Sequence, residues 1–188
     1  SVGQSYAIFT ASQQDEKRPL GRSEGLRALK ECHPGAIYLH HGETYHVEQL
    51  DLANHVVHVT PSTAPYYTKV KSEKETEILE VLASKPVGNF IIRMGRLRVT
   101  EHILAYEKRR LFTQELLGTN SLDIPPQTFE TVGFWIEIES VLAKRLHDEG
   151  LHFMGGIHAV EHAAISMFPL FALCDRNDIG GISCPQHP

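Results

Sequence analysis

The stretch Ala36-Ile37-Tyr38-Leu39-His40-His41-Gly42-Glu43-Thr44-Tyr45-His46-Val47-Glu48-Gln49-Leu50-Asp51 decides the fold. Ala36 to His40 and Thr44 to Asp51 are separated by His41-Gly42, and Tyr45 and Val47 alternate with His46 and Glu48 at the two-residue period of a strand with one covered face. A β-hairpin is predicted. Downstream, Leu52-Ala53-Asn54 turns the chain into His55 to Thr60, where Val57 and Val59 flank His58 and continue the meander. Upstream, Tyr6-Ala7-Ile8-Phe9 supplies one short strand, and Gln13 to Pro19 forms a polar loop. Leu26, Leu29 and Lys30 mark a short helix ended by Pro34-Gly35, because proline disfavours helical continuation at itself and at the residue before it.

Beyond the meander, Pro61 and Pro65 bracket a loop before Tyr66 to Val70. Lys71-Ser72-Glu73-Lys74-Glu75 reads as a solvated link to Thr76–Ala83, which is strand or helix. After a turn at Pro86-Val87-Gly88-Asn89, Phe90 to Tyr106 reads as one long strand or two strands broken near Gly95. Leu111 to Leu117 returns antiparallel to it, and Thr131 to Ile138 supplies another strand. Composition changes at Ser140, where Val141, Leu142 and Leu146 interleave with Lys144, Arg145, Asp148 and Glu149 in an amphipathic helix that Gly150 stops. After Gly155-Gly156, the residues Ile157, Val160, Ala164, Ile165 and Phe168 recur at helical spacing and predict a core helix, kinked or divided at Pro169. The expected fold class is α+β. A β-rich small barrel or curved antiparallel sheet occupies residues 1–139, and a short helical segment occupies 140–188.

A chain of 188 residues with 41% hydrophobic content can bury a real core. Its formal net charge of −5 excludes a globally basic nucleic-acid-binding surface, so any such contact uses a local patch. Cys32, Cys174 and Cys184 are widely scattered with no C-x-x-C pair, which fits a reducing interior. With no charged-then-apolar leader and no apolar run near the ~20 residues of a spanning helix, a soluble cytoplasmic protein with no membrane partner is expected.

Three motifs carry chemistry. Arg93, Arg96, Arg98, Lys108, Arg109 and Arg110 fall within eighteen residues whose only acids are Glu101 and Glu107. Arginine forks onto phosphate oxygens, and Tyr106 or Phe112 can offer a stacking face, the combination that holds single strands; the plainer reading is a solvated strand face and a basic turn. His158-Ala159-Val160-Glu161-His162 has the H-x-x-E-H spacing of inverted zinc proteases, two imidazoles for the metal and a carboxylate to activate water. A catalytic zinc also needs a third ligand, to be found among Cys174, Asp175, Asp178, Cys184 and His187; otherwise the motif braces a helix and is structural. Asp175 and Asp178, with Gly180-Gly181 after them, lack the alternating oxygens of a calcium loop and read as capping and turn residues. Neither a Ser/His/Asp set nor G-x-S-x-G can be assembled, so no catalytic residue and no metal ligand is assigned.

The segments His158 to Ala163 and Leu173 to Gly181, containing His158, Glu161, His162, Asp175, Asp178, Gly180 and Gly181, resemble the start of the C-terminal domain of YprA/MrfA-type superfamily 2 DEAD/DEAH-box DNA helicases, the mitomycin-repair type. Pro34 to Tyr45, Tyr66-Tyr67-Thr68, Lys108 to Phe112 and Glu115 to Gly118 are similar to the accessory region that follows the motor in that family. Neither G-x-x-x-x-G-K-[ST] nor D-E-x-[HD] occurs. The resemblance therefore implies a non-catalytic accessory fragment with no cofactor of its own. ATP and Mg would bind the parent's motor lobes, and the family's terminal cysteine cluster, which resembles a zinc site, would lie beyond Pro188. The implied partners are the motor lobes of the same chain and single-stranded or tailed DNA. A zinc hydrolase built on the H-x-x-E-H helix, or a protein-interaction module, are the alternatives.

Overall fold

The computed structural model of the chain describes residues 4–10, 18–88, 90–174 and 179–183. It contains nine strands and three helices among these residues, an α+β fold rich in strands. Contacts divide the chain into a first unit, Ser1–Leu82 with Met94–Gly133, and a second, Ala83–Arg93 with Phe134–Pro188. No helix of the described residues is long and apolar enough to cross a membrane.

The first unit is built on β1 (Ser5–Thr10), β2 (Gly21–Glu24), α1 (Gly25–Glu31), β3 (Ile37–His40), β4 (Glu43–Asp51) and β5 (Val56–Pro61). Their sheet runs β2-β1-β5-β4-β3. The predicted hairpin is present, with Ile37 opposite His46 and His40 opposite Glu43. His41 (φ 51°) and Gly42 (φ 87°) both stand in the left-handed region. That is what a two-residue turn matching strand twist demands, and glycine takes it without a Cβ clash. Between Val47 and Gln49 the register shifts at a bulge, where the Glu48 carboxylate accepts from His46 Nδ1 at 3.0 Å and Thr60 Oγ1 at 2.8 Å. The pairing of β1 with β5 is parallel, Ile8 facing Val57.

Alternation explains the core. Tyr6, Ile8, Val47, Val57 and Val59 turn one face of the sheet inward, and α1 supplies Ala28 and Leu29. Ile103, from a later strand, closes the same cluster. Each fully buried aliphatic side chain stabilises the fold by about 1.5–3 kcal/mol, so this cluster is the main source of stability in the first unit.

The second sheet comprises β6 (Tyr66–Val87), β7 (Phe90–Arg110), β8 (Leu116–Ser121) and β9 (Gln127–Glu137). β7 pairs with β6, β8 and β9. Two expectations are corrected here, and one pair of alternatives is decided. Lys71 to Glu75 is not a link but part of the unbroken β6, because its polar side chains find partners on β7: Lys71 pairs with Glu107 at 2.9 Å and Ser72 donates to Glu101 at 2.6 Å. Of the two readings of Phe90 to Tyr106, the one long strand is observed: Gly95 does not break β7, which runs on to Arg110. The return strand begins at Leu116, and residues 111–115 form the turn.

In the second unit, α2 (Ser140–Asp148) ends before Gly150, whose φ is 72°. α3 (Phe153–Met167) begins earlier than Gly155-Gly156 indicate, because the His152 ring accepts from Gly155 N at 2.8 Å and caps the first turn. It stops where Pro169 imposes a short 3-10 turn, Phe168–Leu170. The predicted buried stripe is only half-buried. Ile157, Ile165 and Phe168 are partly sheltered, Val160 and Ala164 are exposed, and no residue of α3 is fully buried.

Candidate nucleic-acid interface

β7 extends the basic run into an object far longer than its eighteen residues imply. At roughly 3.3 Å per residue, Arg98 and Lys108 stand about 33 Å apart along the strand, so the run divides into two groups. In the first, Arg96 and Arg98 point from the same face, as the two-residue period requires. Glu130 on β9 accepts from Arg96 Nη2 at 2.7 Å and from Arg98 Nη2 at 3.4 Å. Arg98 Nη1 also reaches Glu77 on β6 at 2.9 Å. The hydrogen bond from Arg96, reinforced by Arg98, holds the Glu130 carboxyl below its usual range. These exposed pairs tie three strands together as solvent-screened surface contacts. Arg93, in the second unit, lies 3.0 Å from Glu137.

The second group stands at the far end of β7. Arg109 grips Glu107 through Nε and Nη2, both at 2.7 Å, and donates from Nη1 to Gln114 O at 3.1 Å. Lys71 holds the other oxygen of Glu107 at 2.9 Å. The hydrogen bonds from Lys71 and Arg109 draw that carboxyl's pKa down. Arg110 Nε pairs with Glu115 at 3.0 Å. Lys108 differs from the other five basic residues. Its ammonium lies 5.6 Å from the Tyr66 ring centre and 5.9 Å from that of Tyr106, a cation–π setting that leaves the charge available to an anion. Tyr66 was marked in the sequence only as part of Tyr66-Tyr67-Thr68, with no pointer to Lys108. Tyr106 is not a free stacking face: it is buried, its ring packed at 4.5 Å on His33. Phe112, by contrast, is fully exposed.

His33 is a fully buried polar group that the sequence did not single out. Its Nδ1 donates to Pro34 O at 3.0 Å, while Nε2 has no partner among the described residues. Burial pushes its pKa down, against a smaller opposing pull from the Pro34 carbonyl. The unfolded chain therefore binds a proton near pH 6.5 before the folded one does. Stability falls as pH drops below about 6.5, by up to about 1.4 kcal/mol per pH unit, until the depressed folded pKa is reached. A His33→Phe variant is expected to flatten the dependence of urea midpoint on pH between 6.5 and 5; an unchanged slope would assign it elsewhere. Glu101 is buried as well, 1% exposed, with Lys30 Nζ at 2.7 Å. In the same core, burial pushes the Cys32 thiol up to about 12, leaving no thiolate at neutral pH.

On α3 the H-x-x-E-H motif places His158 Nε2 and His162 Nε2 3.1 Å apart, and Glu161 Oε2 lies 3.3 Å from His158 Nδ1. Ser183 Oγ stands 3.5 Å from the same nitrogen. Gly181 lies so close to α3 that a Cβ there would meet Ile165 Cδ1 at 2.5 Å and Glu161 Oε1 at 2.9 Å. Glu161 thus faces the segment 179–183, and both imidazoles remain exposed. Among the described residues no three His, Cys, Asp or Glu side chains converge as metal ligands. Cys174 Sγ donates to Ala172 O at 3.4 Å. Gly180 lies in the described segment beside Gly181, whereas Asp175, Asp178, Cys184 and His187 lie outside the described residues.

No family profile matches the chain. It is 25% identical over 183 residues to the uncharacterized ATP-dependent helicase YprA of Bacillus subtilis, covering 96% of this chain and 24% of that protein. It is 23% identical over 180 residues to the ATP-dependent helicase hrq1 of Schizosaccharomyces pombe, covering 95% of this chain and 17% of that one. Thus the chain spans a quarter or less of these relatives. The crystal structure of the DUF1998 helicase MrfA bound to DNA superposes with a TM-score of 0.62 at 23% identity, over 94% of this chain and 23% of that one. MrfA bound to DNA and AMPPNP gives a TM-score of 0.58 at 22% identity, over 95% and 21%.

Proposed function

From the premise that this chain is homologous to one segment of the YprA- and Hrq1-type ATP-dependent helicases, we propose that it is the accessory region of such an enzyme, without chemistry of its own. ATP and Mg bind the motor lobes of the parent, and this region buttresses those lobes and guides one DNA strand past them. The supporting observation is that the likeness runs over nearly the whole chain yet over only 17–24% of each relative, as a single region of a larger machine would.

The basic residues of β7 supply the strand contact in this reading. Five of the six sit in ion pairs. For Arg93, Arg96, Arg98 and Arg110 a phosphate therefore exchanges for an exposed carboxylate and does not fill an empty site, which keeps binding modest and salt-sensitive, whereas Arg109 is held by the buried Glu107. The test is the affinity of the 188-residue chain for a fluorescent single-stranded oligonucleotide across a salt series. Charge reversal at Arg96, Arg98 and Arg109 is expected to weaken binding for all sequences alike and to reduce the salt slope by about 0.7 for each phosphate no longer neutralised. Unchanged affinity would point to a protein-interaction module instead. DNA-stimulated ATP hydrolysis by this chain alone would overturn the accessory assignment.

A further inference from the structure

The turn between β7 and β8 presents a phenylalanine to solvent on a backbone built to keep it there. Phe112 is 100% exposed, and its φ of 67° lies in the left-handed region, as does that of Gln114 at 58°. A bulky non-glycine residue there is uncommon, and it persists when its surroundings over-determine the conformation. Here they do. Leu111 N donates to Pro65 O at 3.1 Å, Thr113 N to Leu111 O at 2.9 Å and Gln114 N to Arg110 O at 3.1 Å. Arg109 Nη1 clamps the Gln114 carbonyl at 3.1 Å, and Arg110 holds Glu115 across the base of the turn. Nothing in these contacts uses the ring.

The base of the turn is cationic. Lys108, Arg109 and Arg110 lie two to four positions before Phe112, and Lys108 has only aromatic neighbours for its charge among the described residues. A rigidly mounted aromatic face beside cations fits an unpaired nucleobase flanked by phosphates: the base stacks on the ring while ammonium and guanidinium groups meet the backbone. We infer that Phe112 is a base-stacking contact for single-stranded nucleic acid, with Lys108 binding an adjacent phosphate. This rests on the strand-guiding reading above and assigns it a residue and an atom-level contact. A nucleobase is favoured over an apolar protein pocket because Lys108, Arg109 and Arg110 lie only two to four positions before Phe112 in the chain.

The two contacts have different signatures. Binding of the 188-residue chain to a single-stranded oligonucleotide carrying 2-aminopurine is measured with Phe112→Ala, Phe112→Trp and Lys108→Ala. Phe112→Ala is expected to lose about five- to a hundredfold in affinity, the range for one stacked base, with an unchanged salt slope. Phe112→Trp should restore it, and the 2-aminopurine quenching should vanish only in Phe112→Ala. Lys108→Ala should instead reduce the salt slope by about 0.7. If the unmodified chain binds the strand and Phe112→Ala binds it equally well, the stacking contact is refuted while the strand-guiding role stands. If the unmodified chain does not bind, both fall.

Discussion

Replacing Lys30 by methionine is expected to lower the stability of the first unit by about 3 kcal/mol at neutral pH, the cost of leaving a buried carboxylate without its counter-ion. Glu101 is 1% exposed, and its Oε1 takes Lys30 Nζ at 2.7 Å and Ser72 Oγ at 2.6 Å. Its other oxygen has no partner among the described residues. Burial raises this carboxyl's pKa, but the hydrogen bonds from Lys30 and Ser72, with the charges of Lys30 and Lys74, outweigh it and leave the pKa lowered. With a depressed folded pKa, the group stabilises the fold above the ordinary carboxyl pKa near 4.3 and loses that contribution as pH falls through the folded value. In Lys30→Met the sign reverses: burial without the ammonium raises the pKa, and protonation on acidification relieves the penalty. The gap between the two proteins in urea melts should therefore be widest at pH 7 and narrow toward pH 4. A Lys30→Met/Glu101→Leu double variant should recover most of the stability, because a removed pair leaves no orphaned charge. A Lys30→Met midpoint equal to that of the unmodified chain would show that Glu101 does not depend on this partner.

The same cluster shows where reading a sequence runs out. Lys30, Ser72 and Glu101 come from α1, β6 and β7, and no local pattern joins them. The β3–β4 hairpin was legible because His41-Gly42 sits between two alternating runs and needs no distant information. β6 was not, since periodicity is recognised by apolar residues, whereas Lys71 to Glu75 satisfies a sheet through ion pairs and a hydroxyl on the neighbouring strand. The basic run was visible but its neutralisation was not. Within it only Glu101 and Glu107 are acidic, yet Glu77, Glu130 and Glu137 arrive from β6 and β9. The apolar period of α3 was read correctly as helix, but the glycines misplaced its start, because a histidine side chain does the capping. The pairing of β1 with β5 is parallel across a connection of some forty-five residues, and nothing short-range in either strand encodes it.

Gly35→Ala is the other substitution with a large expected effect, about 3 kcal/mol. It combines the ~1–2 kcal/mol of a left-handed alanine with the ~1–3 kcal/mol of an overpacked site. Gly35 has φ 82°, its N–H donates to Val47 O at 2.8 Å, and the space a Cβ would take holds the Tyr106 hydroxyl. Tyr106 cannot retreat freely, because its ring packs on His33. Removing the hydroxyl should relieve part of the damage. Tyr106→Phe/Gly35→Ala is expected to be more stable than the sum of the two single changes by about 1 kcal/mol or more, the size of coupling that contacting residues show. The backbone term should remain, since φ is unaltered by emptying the space. Additive effects in the cycle would mean that the clash is absent and that backbone conformation alone makes glycine necessary. The consequence reaches beyond stability. Tyr106 lies two residues before Lys108 on β7 and shares its cation–π setting, so forcing the ring aside should loosen the strand end that carries the Phe112 turn. Hydrogen exchange at the Arg110 and Gln114 amides, which close that turn, should quicken in Gly35→Ala and return toward normal in the double variant. Protection unchanged in Gly35→Ala would show that the turn is held by its own bonds alone.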